Sequence, residues 1–412
     1  MANQTTRMVP RIRFKAYSEP WVEEKIGDVL AEKRRPIELE DNQRYELITV
    51  KRRNEGVVSR GHLLGREILV KNYAQLIAGD FVISKRQVVH GATGIIPAEL
   101  GGAIVSNEYL TAVDSRKLLT EFLAIIARLP AMRRKFFLSS YGVDIEKLLF
   151  DAEDWKRRKV TIPGVTEQTK ICAHSRRLDQ LIRLYQCKHK KLIALKESML
   201  QKMFPKPGAT IPEIRFKGFS ENWTDKKLGD VCGPFEYGLN APAKDYDGRN
   251  KYIRITDIDE NLRNLSQANL TTPDADLVSA SKYLLSEGDI LFARTGASVG
   301  KTYRYQESDG RVFFAGFLIR AKAFNKECVD FIFYTTLTSQ YGKFVAINSQ
   351  RSGQPGINAG EYSEFSFRAP TVPEQKKIGS YFRTLDELIF QHATQIQRFQ
   401  QVKFAFLEEM FV

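Results

Sequence analysis

Along two stretches of the chain apolar residues return every seven positions. In the first, Ile171, Leu178, Tyr185, Leu192 and Met199 form the stripe, with Leu181 and Leu195 beside it. In the second, Ile378, Leu385, His392, Phe399 and Phe406 fall at the equivalent places, with Leu388 beside them. A sustained seven-residue apolar period predicts a coiled-coil helix. At ~1.5 Å per residue each of these stretches would make a helix of roughly 60 Å. Two such seams in one chain most simply bury against each other. His392 and Lys188 interrupt the stripe and read as register-setting or partly exposed positions, not ligands. Outside the two stretches the pattern changes. Short β-rich runs ("RYELITV", "KYIRITDI", "GDFVIS", "GDILFA", "RVFFAGFLIRAKAF") sit among helical patches ("LLTEFLAIIARL", "DFIFYTTLTSQYGKFVAI"). That mixture predicts α+β domains built on a mainly antiparallel sheet. Between the halves, "FPKPGATIP" (204–212) carries the prolines and glycine that stop a helix and reverse the chain.

The chain is also written twice. Pro10–Val29, "PRIRFKAYSEPWVEEKIGDV", aligns with Pro212–Val231, "PEIRFKGFSENWTDKKLGDV", with 12 of 20 positions identical. "VTEQTKICAHSRRLDQLI" from Val165 answers "VPEQKKIGSYFRTLDELI" from Val372, and "GDFVISKR" answers "GDILFART". Tyr45 matches Tyr252, and Leu200, Met203 and Phe204 match Leu407, Met410 and Phe411. A period near 200 residues is too long for a solenoid, so one two-part unit has been duplicated. The expected division is a globular domain over 1–164, a helix over 165–206, a second globular domain over 207–371 and a second helix over 372–412.

Candidate chemistry changes this picture little. "GASVGKT" (Gly296–Thr302) comes after an apolar run as a phosphate loop would, but it is one residue shorter than G-x-x-x-x-G-K-[ST]. The residues after it are aromatic, β-branched and broken by Ser-Asp-Gly, which predicts a hairpin where a phosphate loop needs a helix. The histidines (His62, His90, His174, His189, His392) and cysteines (Cys172, Cys187, Cys232, Cys328) stand at no zinc-ligand spacing. No nucleophile elbow, no [DN]-P-P-[YF] motif and no dinucleotide fingerprint occurs. "EEK" (Glu23–Lys25) and "EQK" (Glu374–Lys376) match a short nuclease pattern, and the second reads as acids favouring a helix N-terminus. No catalysis is expected in this chain. With no signal-like N-terminus and no apolar run long enough to span a bilayer, it is expected in the cytoplasm with reduced thiols and no membrane partner.

The formal charge of +14 and pI near 9.4 favour a polyanion partner. The polar loops agree. In the first half they carry Lys51, Arg52 and Arg53, then Lys85, Arg86, Gln87, His90 and Thr93. In the second they carry Arg254 and Thr256, then Arg294, Thr295, Ser298, Lys301 and Tyr303, then Gln350, Arg351, Ser352, Gln354 and Asn358. Arg and Lys match guanine O6 and N7, Gln and Asn match adenine, and hydroxyls reach phosphates.

Together "GDILFARTGASVGKTY", "SGQPGIN", "VPEQKKIGSYFRTLDELI" and the duplicated "RFKGFSENWTDKKLGDV" resemble the specificity subunit of Type I restriction–modification systems. "VKRRNEGVV" and "GDFVISKRQVVHGATGIIPAELGGAIVSNEY" are similar to a second recognition-domain type of that family, so the resemblance covers the whole chain. It implies two pseudo-symmetric α/β target recognition domains separated by two long antiparallel helices that form a coiled coil. Each domain would read one half of a bipartite, asymmetric site in double-stranded DNA. The helices would set the spacer and dock two methyltransferase subunits, which carry S-adenosylmethionine. Restriction subunits would join them with ATP and Mg. This chain would hold no cofactor and no metal. The rival readings are a stand-alone DNA-binding regulator with a dimerising coiled coil, and an ATP-using enzyme built on "GASVGKT".

Overall fold

Both long helices form where the seven-residue period places them, over Val165–Lys202 and Val372–Met410. The structure, a computed structural model, describes residues 9–69, 72–260 and 263–411. It divides into two compact units, one made of residues up to Leu184 together with those from Ile396, the other of Tyr185–Gln395. Each unit therefore owns half of each helix.

Within each unit the two half-helices pack antiparallel. In the first, His174 lies 4.7 Å from Phe406 between ring centroids, and Lys403 pairs with Asp179. In the second, Tyr185 and His392 rings lie 5.1 Å apart, His189 Nδ1 is 3.1 Å from the Ile389 carbonyl oxygen, and Lys196 pairs with Asp386 at 2.6 Å. Ile171, Leu178, Ile378, Leu385 and Phe406 are buried, and Leu181, Tyr185, Leu192, Met199 and Phe399 are half-buried. Two expected seam residues are not in the seam. Leu195 is 40% and Leu388 38% exposed, while their neighbours Lys196 and Ile389 are buried. The reason is geometric: a straight helix drifts ~20° per heptad against a strict seven-residue repeat.

The globular part of each unit uses one frame. In the first unit a four-stranded antiparallel sheet has the order Ala31–Glu32, Tyr109–Val113, Phe81–Ser84, Thr93–Ile95. The second repeats it as Cys232–Tyr237, Leu318–Ala323, Asp289–Ala293, Thr302–Arg304. A two-stranded ladder closes each unit beside the helix start: Val22–Lys25 with Lys159–Ile162, and Thr224–Lys227 with Ser366–Ala369. The units differ in their second layer. The first has a five-stranded sheet built round Arg44–Val50, and the second has a parallel pair, Asn250–Ile253 with Arg311–Phe314, and a separate short ladder.

The duplicated "RFK" and "EQ" motifs meet in space. Arg13 donates two hydrogen bonds of 2.8 Å to Glu167, and Arg215 two of 2.7 Å to Glu374. Gln168 and Gln375 donate from Nε2 to the carbonyls of Pro163 and Pro370. Glu374, in the first turn of its helix as the sequence suggests for a dipole-favouring acid, is also fully buried and ion-paired. Each globular core also receives the end of the opposite repeat's helix. Met203 and Phe204 pack with Trp223, and Phe406 and Met410 pack with Trp21.

Candidate nucleic-acid interface

Three loops converge in each unit, and the frame dictates which. One leaves the parallel-paired strand, one turns the hairpin on the inner strand of the four-stranded sheet, and one precedes the short helix before the closing ladder. In the first unit these are 51–56, 85–92 and 139–150. Arg52 Nε donates to Gln87 Oε1 at 2.9 Å, and Asn54 binds the Gly91 carbonyl and the Thr93 hydroxyl, both at 2.8 Å. Glu146, from the third loop, takes Arg52 at 2.8 Å and lies 3.5 Å from His90 Nε2. Lys51 and Arg53 are exposed and carry no ion pair among the described residues. Lys85 is engaged by the Asn107 carbonyl and Arg86 by Glu108.

In the second unit "GASVGKT" is a hairpin turn, as its composition predicts. Ile290–Phe292 pairs with Thr302–Arg304, and Gly296 and Gly300 take φ of +71° and +82°, a region that favours glycine. The turn is zipped to the third loop, because Gly296 N–H donates to the Pro355 carbonyl and Ile357 N–H to the Arg294 carbonyl, both at 2.9 Å. Arg294 stacks its guanidinium 4.9 Å from the Tyr237 ring centroid. Gln350, Ser352 and Gln354 are exposed nearby in the chain, and Thr295 and Ser298 are half-buried. Arg351 is held by Glu361 at 2.5 and 2.7 Å. Arg254 is bound by Asp257, with Thr256 exposed beside it. Exposed ion pairs of these kinds contribute only ~0–1 kcal/mol, so such arginines can exchange a carboxylate for a phosphate or base at small cost.

Three candidates, Tyr303, Thr93 and Lys301, are corrected by their burial. Tyr303 is fully buried, donates its hydroxyl to Asp309, and is pushed well up in pKa by burial. Thr93 is buried under Asn54. Lys301 is only 7% exposed, with its ammonium on Glu260 and the Ile258 carbonyl, so it staples a loop and meets no DNA phosphate from there. Asn358 is exposed but occupied, capping the helix Ala359–Ser363 through the Glu361 N–H. Ser298 and Lys301 line a cleft of about 620 Å³ shared with His189, Lys196 and Thr336.

The buried thiols of Cys172 and Cys232 are pushed up to about 12 by burial, far from a reactive thiolate. Among the described residues no three His, Cys, Asp or Glu side chains gather as a metal site, and no helix is long and apolar enough to cross a membrane.

Residues 220–399 match the sequence family described as Type I restriction modification DNA specificity domain. In fold the chain is similar to the Type-I restriction-modification system S subunit from M. genitalium, with a TM-score of 0.60, 13% identity, and coverage of 98% of this chain and 99% of that one. It is also similar to a chain from work on complex assembly and conformational transition of the type I R-M system, at TM-score 0.50, 17% identity, and coverage of 96% and 99%. The sequence has no match among curated proteins.

Proposed function

We propose that this chain, whose residues 220–399 match the Type I restriction modification DNA specificity domain and whose fold is similar to that of a solved S subunit, is a two-headed reader of DNA. Each unit reads one half of a bipartite, asymmetric site. The helix pair sets the unread spacer, and methyltransferase subunits dock on it and carry S-adenosylmethionine. Restriction subunits with ATP and Mg complete the assembly. The observation that carries this reading is one frame, used twice, gathering the same three loops with different side chains. A matched frame lets both units address DNA alike, and unlike side chains let the half-sites differ. Support for docking on the helices comes from Leu184, Phe390 and Phe404, which are 48%, 54% and 62% exposed there.

Mapping methylated adenines genome-wide, in a host with and without the gene and its neighbours, tests the proposal. The expected output is a two-part motif with a fixed gap. Arg294→Ala should cost ~1–3 kcal/mol and relax one position in one half-site. A uniform loss across all sequences would make Arg294 a phosphate contact. A stable homodimer that binds DNA and co-elutes with no methyltransferase would favour the stand-alone regulator.

A further inference from the structure

The third loop of the first unit exposes apolar side chains where solvent gives them no reason to be. Ser140–Tyr141 pairs with Leu149–Phe150 and closes a tip whose Val143 is 104% exposed, with Tyr141 at 61% and Ile145 at 53%. Phe137 and Leu138, at the end of the preceding helix, are half exposed as well. So dense an exposed apolar run marks a contact surface. The duplicated frame indicates what covers it.

In the second unit the corresponding segment is the loop holding Gln350, Arg351 and Gln354. Both loops leave a helix (Pro130–Leu138, Ser339–Asn348), enter a short one (Ala152–Arg157, Ala359–Ser363), and dock by the same bond. Phe150 N–H donates to the Lys85 carbonyl at 3.0 Å, as Ile357 N–H does to that of Arg294 at 2.9 Å. Lys85 and Arg294 are themselves matched positions of "GDFVISKR" and "GDILFART". The tip is tied to the other two loops of its unit through Glu146, which engages Arg52 and His90. Exposed cations lie along the converging segments: Lys51, Arg53, Arg133, Arg134 and Lys147, against the exposed acids Glu55, Asp144 and Glu146. That balance suits a polyanion.

We propose that the tip Tyr141–Lys147 is a third DNA-contacting element of the first unit. Val143, Ile145 and Tyr141 make apolar contact with base-pair edges of its half-site. Thymine methyl groups are the apolar feature a groove offers, so the tip discriminates A·T positions. The second unit uses amides and an arginine at the same place. The proposal rests on the reading of the chain as a DNA specificity subunit.

Selection of duplexes from a random-sequence library by the full chain, co-expressed with its genomic neighbours, tests it. Wild type should enrich a two-part motif. Val143→Ser, at a fully exposed position, should lower affinity for that motif at least tenfold and erase preference at A·T positions of one half. Arg294→Ala should alter only the other half. Val143→Asp should be worse than Val143→Ser. The proposal is overturned if Val143→Ser selects the wild-type motif with affinity within twofold, or if it degrades both halves equally. It is also overturned if the variant reads DNA normally but loses a co-purifying protein, which would make the tip a protein-docking surface. A wild-type chain that enriches no two-part motif would sink the underlying function as well, a result distinguishable from failure of the tip alone.

Discussion

Arg215 and Arg13 show how a surface-looking residue type can become a fastener. Each guanidinium forks onto a glutamate in the first turn of a long helix, joining the start of its globular domain to the helix that leaves it. Glu374 is fully buried, so Arg215→Ala leaves a carboxylate with no counter-charge, a change expected to cost about 3–5 kcal/mol. Arg215→Lys should recover only part of this, because an ammonium cannot bind both carboxylate oxygens in plane. The check is a melt resolving two transitions: Arg215→Ala should lower the second unit's and spare the first's, and Arg13→Ala the reverse. In the sequence both residues of the pair were visible as repeats, but nothing local said that they meet, 159 positions apart. The same limit explains Tyr303 and Lys301. Their residue types fit DNA, but the strand register turns Tyr303 into the core, and a loop distant in sequence takes up Lys301 through Glu260 and the Ile258 carbonyl.

The helices were the most legible elements, since a long apolar period needs no tertiary context to be recognised. Which side chains face inward at each point was less legible, because the seam drifts along a straight helix. The drift brings a charge inside. Lys196 is 8% exposed and pairs with Asp386, which also accepts the Tyr334 hydroxyl at 2.7 Å. Lys403 with Asp179 is the same pair in the other repeat, at 18% and 33% exposure. Asp386→Asn should therefore cost more, roughly 3 kcal/mol for a buried lysine left without its anion, than Asp179→Asn, about 1 kcal/mol at a wetter site. Denaturant unfolding of the two variants measures the difference. Exchanging the charges, Lys196→Asp with Asp386→Lys, should restore part of the loss if the pair acts as a register clamp, and restore nothing if only its volume matters.

For the whole molecule, duplication was plain from the sequence and the frame sheets obeyed it strand for strand. The second layer did not, since sequences there share only landmarks such as Tyr45 and Tyr252, and each unit solved its burial differently. The loop over 139–150 escaped notice for the same reason: its apolar tip looks like core until the register places it outside. A joint that occurs twice also bears on where the backbone could be cut. Ile214 N–H binds the Lys202 carbonyl at 2.9 Å, beside the covalent link between the repeats, and at the matched positions Ile12 N–H binds the Glu409 carbonyl at 3.1 Å. The same backbone joint is thus made once within each unit. Fusing the two ends through a copy of the 205–211 segment, and cutting at the original, should give a circular permutant with unchanged melting and unchanged DNA preference, and a permutant that fails to fold would show that the two joints are not interchangeable.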